Sequence, residues 1–185
     1  MLENSPKRIV IVGSAGVGKT TLANKVKEKL GFKFIPEQAR VICTKLGYKS
    51  IYEIKDPDKF RFTVLKEQIK AEEKLNQFLS DRSTVDCWVH WVRWSWGIKK
   101  TYESEEYFNL SFNQALKYSH IIYIPRLIKP KDDGFRWNDE SYQNQIDRLF
   151  REVLLEWELM NRTYIVQSNK LKDRISEITN FLTVN

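Results

Sequence analysis

Residues 13–20 read GSAGVGKT and fit the pattern G-x-x-x-x-G-K-[ST]. RIVIV at residues 8–12, directly before them, is an apolar and largely β-branched run that ends at a glycine, which predicts a buried strand. KTTLANKVKEKL at residues 19–30 has apolar residues at helical spacing and is followed by Gly31, a typical helix C-terminus. A glycine-rich turn between a strand and a helix is the context in which this pattern forms a phosphate-binding loop, or P-loop.

The spacing within this loop has a physical reason. Glycines let the backbone curl so that successive N–H groups point at phosphate oxygens, and the helix N-terminus adds partial positive charge. The Lys19 ammonium then reaches the β- and γ-phosphates, and the Thr20 hydroxyl ligates Mg²⁺. We therefore expect a nucleoside triphosphate with Mg²⁺. The predicted nucleotide-binding residues are Gly13, Ser14, Ala15, Gly16, Val17, Gly18, Lys19, Thr20 and Thr21.

Strand patterns and helix patterns alternate along the rest of the chain. This alternation predicts parallel βαβ units and therefore an α/β fold, with three layers (α/β/α) around a five-stranded, mostly parallel sheet. No linker or internal repeat divides the chain, so we expect a single domain over residues 1–185. A polar segment with proline and glycine at residues 125–140 is the expected lid. The predicted strands are residues 8–12, 32–35, 78–80, 120–124 and 163–167.

Composition limits the class of protein. The 185 residues are 42% hydrophobic and 30% charged, with seven glycines and five prolines, which excludes a disordered or fibrous chain. No apolar stretch is long enough to span a bilayer, and the N-terminus does not resemble a signal peptide, so a cytoplasmic protein without membrane contact is expected. Cys43 and Cys87 stand far apart without a metal-ligand pattern, which favours free thiols.

The chain is basic, with 31 lysines and arginines against 24 acidic residues and a formal net charge of +7. Such a balance attracts polyanions, including nucleotides and nucleic acids. The excess charge is scattered along helices, as in KVKEKL and KEQIKAEEK, and no compact block of like charges marks a nucleic-acid arm. Nucleic acid is therefore kept as a partner but not favoured, and the oligomeric state stays open.

Two large classes of P-loop protein lack their signatures here. A GTPase needs a guanine-reading N-K-x-D, whereas residues 169–172 read NKLK, with lysine in place of the aspartate. A motor or assembly ATPase usually has an apolar strand that ends in Asp-Glu, whereas HIIYI at residues 120–124 is followed by Pro125 and Arg126. Neither class is supported.

A small-molecule kinase needs parts that this chain supplies. It needs a carboxylate to orient or deprotonate the accepting hydroxyl, an acidic residue for Mg²⁺, and arginines for the charge on the moving phosphoryl group. Glu37 and Arg40 follow the second strand, and Asp81 and Arg82 follow the third. Glu37 and Asp81 also have a structural explanation, because either, or Ser83, would cap a helix. Arg148 and Arg151 lie on the polar face of a predicted helix, so contact with solvent also explains their presence. The arginines in or behind the expected lid are Arg126, Arg136, Arg148 and Arg151.

These motifs follow one another in an order that resembles a known family. GSAGVGKT, PEQAR, SDRS, DDGFR and VQSNKLKDRI resemble the AAA-like ATPase-domain proteins related to ribosylnicotinamide kinase and, more distantly, deoxynucleoside and thymidylate kinases. The resemblance spans nearly the whole chain. It implies that Glu37 is the base or a ligand of the substrate hydroxyl, that Asp81 is the carboxylate on the Mg²⁺ side, and that Arg82 binds substrate or phosphate.

The same resemblance assigns two further segments. Asp133, Gly134 and Arg136 match a D-G-x-R segment of the family, which would place Arg136 among the catalytic residues. Gln167 and Ser168 would lie near the adenine.

A run of tryptophans follows Asp81. Residues 81–96 read DRSTVDCWVHWVRWSW, with four of the six tryptophans in the last nine positions. The run is too short for a membrane anchor and lies in the middle of a sheet protein. Trp88 and Trp91 share a helical face, and they form either core behind the site or the wall of an acceptor pocket, where an indole would stack on a base or nicotinamide ring for about 1–3 kcal/mol. The candidate acceptor-binding residues are Arg40, Trp88 and Trp91.

We therefore expect Mg²⁺-assisted phosphoryl transfer from ATP to a nucleoside- or nucleotide-like small molecule. Two alternatives stay open: a nucleotide-binding regulatory ATPase or GTPase with little turnover, and a kinase acting on nucleic-acid 5′ ends. The sequence leaves the acceptor and the choice between ATP and GTP undetermined. The candidate catalytic residues are Lys19, Glu37, Asp81, Arg82 and Arg136, and the candidate metal ligands are Thr20 and Asp81.

Overall fold

A computed structural model describes residues 6–95, 101–127 and 139–184. Within these ranges, five strands form one sheet in the order β2-β3-β1-β4-β5, and every neighbouring pair is parallel. The expected five-stranded α/β fold is confirmed. The strands are β1 (Arg8–Val12), β2 (Phe34–Ile35), β3 (Phe78–Asp81), β4 (His120–Tyr123) and β5 (Thr163–Ile165).

Helices connect consecutive strands, as parallel pairing requires. Those that the structure describes include two short 3₁₀-helices, Ile51–Glu53 and Met160–Arg162. Among the described residues, no helix is both long and apolar enough to cross a membrane. The α-helices are α1 (Lys19–Leu30), α2 (Gln38–Lys45), α3 (Pro57–Glu73), α4 (Thr84–Trp94), α5 (Thr101–Ala115), α6 (Glu140–Glu156) and α7 (Leu171–Val184).

The sheet separates two hydrophobic cores. Alternate residues of β1 point to opposite faces, so Val10 and Val12 belong to one core and Ile9 and Ile11 to the other. The first core packs the sheet against α3, α4, α5 and α6, and the second packs it against α1 and α7. Both faces are covered, which explains why all four of these β1 residues are apolar and fully buried.

The carboxyl edge of the sheet positions the site. β1 and β3 are neighbours in parallel register, with Ile11 opposite Asp81, so the loop after β1 lies beside the end of β3. The chain leaves β1 towards β2 and β3 on one side and reaches β4 on the other, so the strand order reverses around β1. Open α/β sheets bind ligands in the crevice at such a reversal.

Candidate active site

The loop after β1 brings the N-terminus of α1 and the Lys19 side chain together. α1 begins at Lys19. The residue before it, Gly18, has φ 88° and no side chain to cap the helix, and the first turn of the helix contains no acidic residue. The Lys19 side chain is buried, and its Nζ donates a hydrogen bond to the Ser14 carbonyl within the same loop. The positive end of the helix and the lysine therefore face the same small volume, as anion binding requires.

The backbone of Ile124 packs so closely against position 13 that only glycine fits there without a shift. Gly13 has φ 142°, and a Cβ placed on it would lie 2.4 Å from the carbonyl oxygen of Ile124. We expect Gly13→Ala to lower the free energy of unfolding by about 2–5 kcal/mol, from left-handed strain and overpacking together. Gly47→Ala is the matched control, because Gly47 has φ 75° and nothing within 4 Å of its Cβ position, so strain alone costs about 1–2 kcal/mol. Urea denaturation measures both, and equal losses would show that the contact with Ile124 is unimportant.

Thr20 and Asp81, the two candidate metal ligands, are in direct contact. The Thr20 hydroxyl donates to Asp81 Oδ2 at 2.5 Å, across 61 positions of sequence. Asp81 is 1% exposed, and its Oδ1 is buried with no hydrogen-bond partner among the described residues. An unpaired buried carboxylate oxygen beside a hydroxyl fits Mg²⁺, which prefers oxygen ligands and usually takes only one or two carboxylates plus phosphates and water. The described residues contain no cluster of three or more acidic, histidine or cysteine side chains that would hold a metal alone.

Arg82 lies at the centre of a buried charge cluster. Its Nε donates to Glu37 Oε1 and its Nη1 to Asp86 Oδ1, each at 2.8 Å. Burial alone would lower the pKa of Arg82, but the carboxylates of Glu37, Asp86 and Asp81 raise it above its ordinary value. Arg82 also has φ 83°, a left-handed conformation that costs a non-glycine residue on the order of 1–3 kcal/mol. The guanidinium is thus fixed in charge and direction at a strained backbone position.

Glu37 stands before α2 but does not cap it. It occupies the N-cap position, yet its side chain makes no capping hydrogen bond. Its carboxylate instead lies between Arg82 and Arg40, with Arg40 Nε 3.1 Å from Oε2. Arg40 is half-exposed, and its contact with Glu37 places it at the rim of the cluster.

Asp86 belongs to the cluster although no sequence argument selected it. Ser83 and Asp86 form a capping box at the start of α4, and the second oxygen of Asp86 accepts from Arg82. Burial raises the pKa of Asp86, and the charges of Arg82 and Lys19 oppose that rise. The S-x-x-D spacing was visible as a capping signal, but only the fold shows that the same carboxylate reaches Arg82.

A cavity of about 370 Å³ extends from this cluster. Ala15 of the P-loop, Glu37, Arg82 and Asp86 line one end. The other end is formed by side chains of the Ile51–Glu53 turn and of α3, α4 and α6, and it is largely apolar and aromatic. Its aromatic residues are Tyr52, Phe60, His90, Trp94, Tyr107 and Tyr142.

Trp88 and Trp91 belong to the core rather than to the cavity wall. Trp91 is fully buried, stacks on Tyr107 with ring centroids 4.3 Å apart, and donates from Nε1 to Ser104. Trp88 packs against Trp157 in the same core, and neither tryptophan lines the cavity. The cavity lining gives no support to the acceptor-binding role predicted for them, because the face of α4 that they share points at α5 and α6. Trp94 is the tryptophan of this helix that reaches the cavity.

A second cluster organises the loop after β5. The Glu177 carboxylate accepts from the amides of Gln167 and Ser168, both at 3.0 Å. Burial raises the pKa of Glu177, but these bonds together with the Ser168 hydroxyl bring it below its ordinary value. Arg174 donates to the Ser168 carbonyl at 2.7 Å and to the Val17 carbonyl at 2.8 Å, and so ties this loop to the P-loop. Neither Glu177 nor Arg174 was selected from the sequence.

The expected lid is only partly described. Asp133, Gly134 and Arg136 lie outside the described residues. Arg126, at the near end, donates to Asn144 and Glu140 on α6. Arg148 is exposed and Arg151 pairs with Asp147, as a solvent-facing helix surface would have them.

A family model described as an AAA domain matches residues 8–174. The chain belongs to the AAA domain family. The family resemblance inferred from the motifs is thereby confirmed. No curated protein matches the chain.

Solved structures show the same fold. The NadR protein in complex with NR has a TM-score of 0.78 at 19% identity, covering 98% of this chain and 53% of that one. NadR in complex with NAD and AMP-PNP has a TM-score of 0.74 at 16% identity, covering 98% and 51%. Deoxyadenosine kinase from M. mycoides, with products dCMP and a flexible dCDP bound, has a TM-score of 0.68 at 19% identity, covering 95% and 98%. The chain thus spans about half the length of the NadR chains and has a P-loop kinase-like fold.

Proposed function

We propose that the chain transfers the γ-phosphoryl group of ATP, with Mg²⁺, to a hydroxyl or phosphate of a nucleoside- or nucleotide-like small molecule. The observation that carries the proposal is the cavity, which joins the P-loop and the cluster of Glu37, Arg82 and Asp86 to an aromatic chamber. Its volume of about 370 Å³ lies within the range typical of small-molecule sites. The nucleotide-binding neighbours NadR and deoxyadenosine kinase support the same class of substrate.

The residues divide the reaction between them. Lys19 and the loop amides stabilise charge on the phosphates, and Asp81 with Thr20 would hold Mg²⁺, which would neutralise charge between the β- and γ-phosphates. The oxygen of the acceptor hydroxyl forms a bond to the γ-phosphorus while the bond from that phosphorus to the leaving ADP oxygen breaks. Glu37 takes the proton that the acceptor hydroxyl loses. Arg82, whose Nη2 makes no hydrogen bond to a described residue, binds the acceptor or the moving phosphoryl group.

The remaining parts of the proposal concern the whole chain. Residues 1–185 form a single domain, the segment at residues 125–140 is its lid, and Arg136 is among the catalytic residues. Gln167 and Ser168 border the adenine. A cytoplasmic location agrees with Cys43 and Cys87, which are both buried and form no disulfide among the described residues.

A panel of donors and acceptors tests this function. ATP and GTP are supplied with Mg²⁺ against nucleosides, nucleotides, nicotinamide riboside and a 5′-hydroxyl oligonucleotide, and products are read by mass spectrometry. We expect a phosphorylated product from at least one nucleoside-like acceptor. Tight nucleotide binding without any product would favour a regulatory protein, and a product from the oligonucleotide alone, with steeply salt-dependent binding, would favour a nucleic-acid end kinase.

Trp94 gives a sharper test of the acceptor chamber. Its ring lies 5.5 Å from that of Tyr142, and both line the cavity. We expect Trp94→Leu to raise the KM for the acceptor by about 5- to 150-fold, the loss of one stacking contact of about 1–3 kcal/mol, with the KM for ATP unchanged. Tyr102→Leu is the control, because Tyr102 is exposed and does not line the cavity. A rise in the KM for ATP alone would place the acceptor elsewhere.

A further inference from the structure

Glu72 is a fully buried carboxylate outside the cavity. It lies near the end of α3 and is 0% exposed. Three donors surround it: Gln68 Nε2 at 2.7 Å, Gln114 Nε2 at 2.7 Å, and the Tyr118 hydroxyl at 3.0 and 3.1 Å from its two oxygens. This set matches an ionised carboxylate, which accepts hydrogen bonds and donates none.

Two of these three residues, Gln68 and Tyr118, also form hydrogen bonds to residues 80–84, the segment that contains Asp81 and Arg82. Gln68 Nε2 also lies 2.9 Å from the Ser80 hydroxyl, immediately before Asp81. The Tyr118 hydroxyl accepts from the backbone amide of Thr84 at 3.0 Å, at the other end of the segment. One carboxylate thus connects to both flanks of residues 80–84, and we name Glu72, Gln68 and Tyr118 the Glu72 bracket.

The segment needs such support. Arg82 has φ 83°, and a strained backbone persists only where the surrounding structure holds it. Asp81 and Arg82 must also point towards the P-loop and the cavity together, although they are adjacent in sequence. The Glu72 bracket supplies hydrogen bonds at both ends of the segment, to the Ser80 hydroxyl and the Thr84 amide.

The Glu72 carboxylate changes its charge near pH 7. Burial raises its pKa to about 7, while the bonds from Gln68, Gln114 and Tyr118 and the charge of Arg8 on β1 oppose that rise. The other titratable groups that face it are Tyr118 and, on α4, Cys87, and burial raises the pKa of both, so they stay neutral at physiological pH. A protonated Glu72 would present an O–H towards these donors, so its hydrogen bond with Tyr118 would have to reverse, with the Tyr118 hydrogen turning to the Thr84 hydroxyl.

We propose that Glu72 is a positioning residue for phosphoryl transfer, a role that rests on the proposed function. Its ionised carboxylate, acting through Gln68 and Tyr118, holds residues 80–84 so that Asp81 reaches Thr20 and Arg82 reaches Glu37. Glu72 itself touches neither nucleotide nor acceptor, since it does not line the cavity.

Glu72→Gln tests this role, with Glu73→Gln as the matched control because Glu73 is the next residue on α3 and is exposed. In the unmodified protein, we expect kcat to rise as pH passes through about 7. In Glu72→Gln we expect this rise to disappear and kcat above pH 7.5 to fall by about 10- to 100-fold, with the acceptor KM within about twofold. Tyr118→Phe removes one arm of the bracket and keeps the carboxylate, so it should lower kcat and keep a pH step, moved to higher pH because a bond that lowers the pKa of Glu72 is lost.

A variant Glu72→Gln that keeps the pH profile of the unmodified protein and its kcat within about twofold would overturn the proposal. A second readout separates this result from a failure of the proposed function. Calorimetry measures the affinity for ADP with and without Mg²⁺, and no acceptor is needed. At pH 8 we expect Mg²⁺ to raise the affinity for ADP less in Glu72→Gln than in the unmodified protein, because Asp81 is no longer held. Glu73→Gln should behave like the unmodified protein. Equal gains in all three proteins would overturn the inference even where no acceptor is phosphorylated.

Discussion

Replacing Lys19 by alanine is expected to lower kcat for phosphoryl transfer by about 10³-fold or more, because the ammonium is the P-loop cation closest to the moving charge. Lys19 is buried at the first position of α1 and is bonded across its own loop to Ser14, so its ammonium is already placed before a nucleotide arrives. Nucleotide affinity should fall as well, since the same ammonium contacts the ground-state phosphates. Steady-state kinetics and calorimetric titration of ADP measure the two effects separately.

Lys25→Ala is the matched control for this result. Lys25 lies on the same helix but is half-exposed and paired with Glu28. Its loss should change activity by less than about twofold and stability by less than about 0.5 kcal/mol. Intact phosphoryl transfer in a folded Lys19→Ala variant, verified by its thermal unfolding, would contradict the mechanism proposed above.

The P-loop and the order of the fold could be predicted from the sequence because their signals are local. GSAGVGKT lies between a strand and a helix whose periodicities are clear, and the motif is recognised from its own eight residues, although the contact that requires Gly13 is with the distant Ile124. The strands begin at or within two residues of their predicted starts for the same reason. Asp81 followed from this local reasoning as well, because it ends a strand adjacent to β1.

The charge cluster and the bracket behind it could be predicted only in part, because their contacts are long-range. Glu37 and Arg82 are 45 positions apart, and their pairing depends on β2 lying beside β3. Glu72 falls within KEQIKAEEK, a run whose polarity indicates solvent contact. It is buried because this side of α3 packs against both β3 and α5, and nothing in the local pattern distinguishes it from exposed Glu73.

The tryptophans illustrate the same limit within one helix. Trp88, Trp91 and Trp94 recur every three residues, which shows that they drift around the helix but leaves its rotation about its axis undetermined. Packing against α5 and α6 sets that rotation, and it buries Trp91 while leaving Trp94 40% exposed. The sequence therefore indicated that α4 carries several tryptophans but not which of them lines the cavity.

Glu37 is the carboxylate proposed to take the acceptor proton, and Glu37→Gln is expected to lower kcat by about 10²- to 10⁴-fold, the usual contribution of a general base. The amide keeps the size of the side chain and can still accept from Arg82, but it cannot receive a proton from the acceptor. Arg82 also keeps Asp86 as a partner, so the variant does not leave a buried cation without a counter-charge. We therefore expect the KM for ATP and the fold to be retained, which steady-state kinetics and circular dichroism measure.

Glu67→Gln is the control for this variant, because Glu67 is half-exposed on α3 and pairs only weakly with Lys70, at 3.4 Å. It should leave kcat within about twofold of the unmodified protein. Should Glu37→Gln keep kcat within tenfold of the unmodified protein, Glu37 is not the base. Asp86, the other carboxylate that binds Arg82 and lines the cavity, would then be the group to replace next. The two variants separate the carboxylate that receives the proton from the one that orients the Arg82 guanidinium. Replacing Asp86 would also break the capping box at the start of α4, so it would displace both Arg82 and that helix.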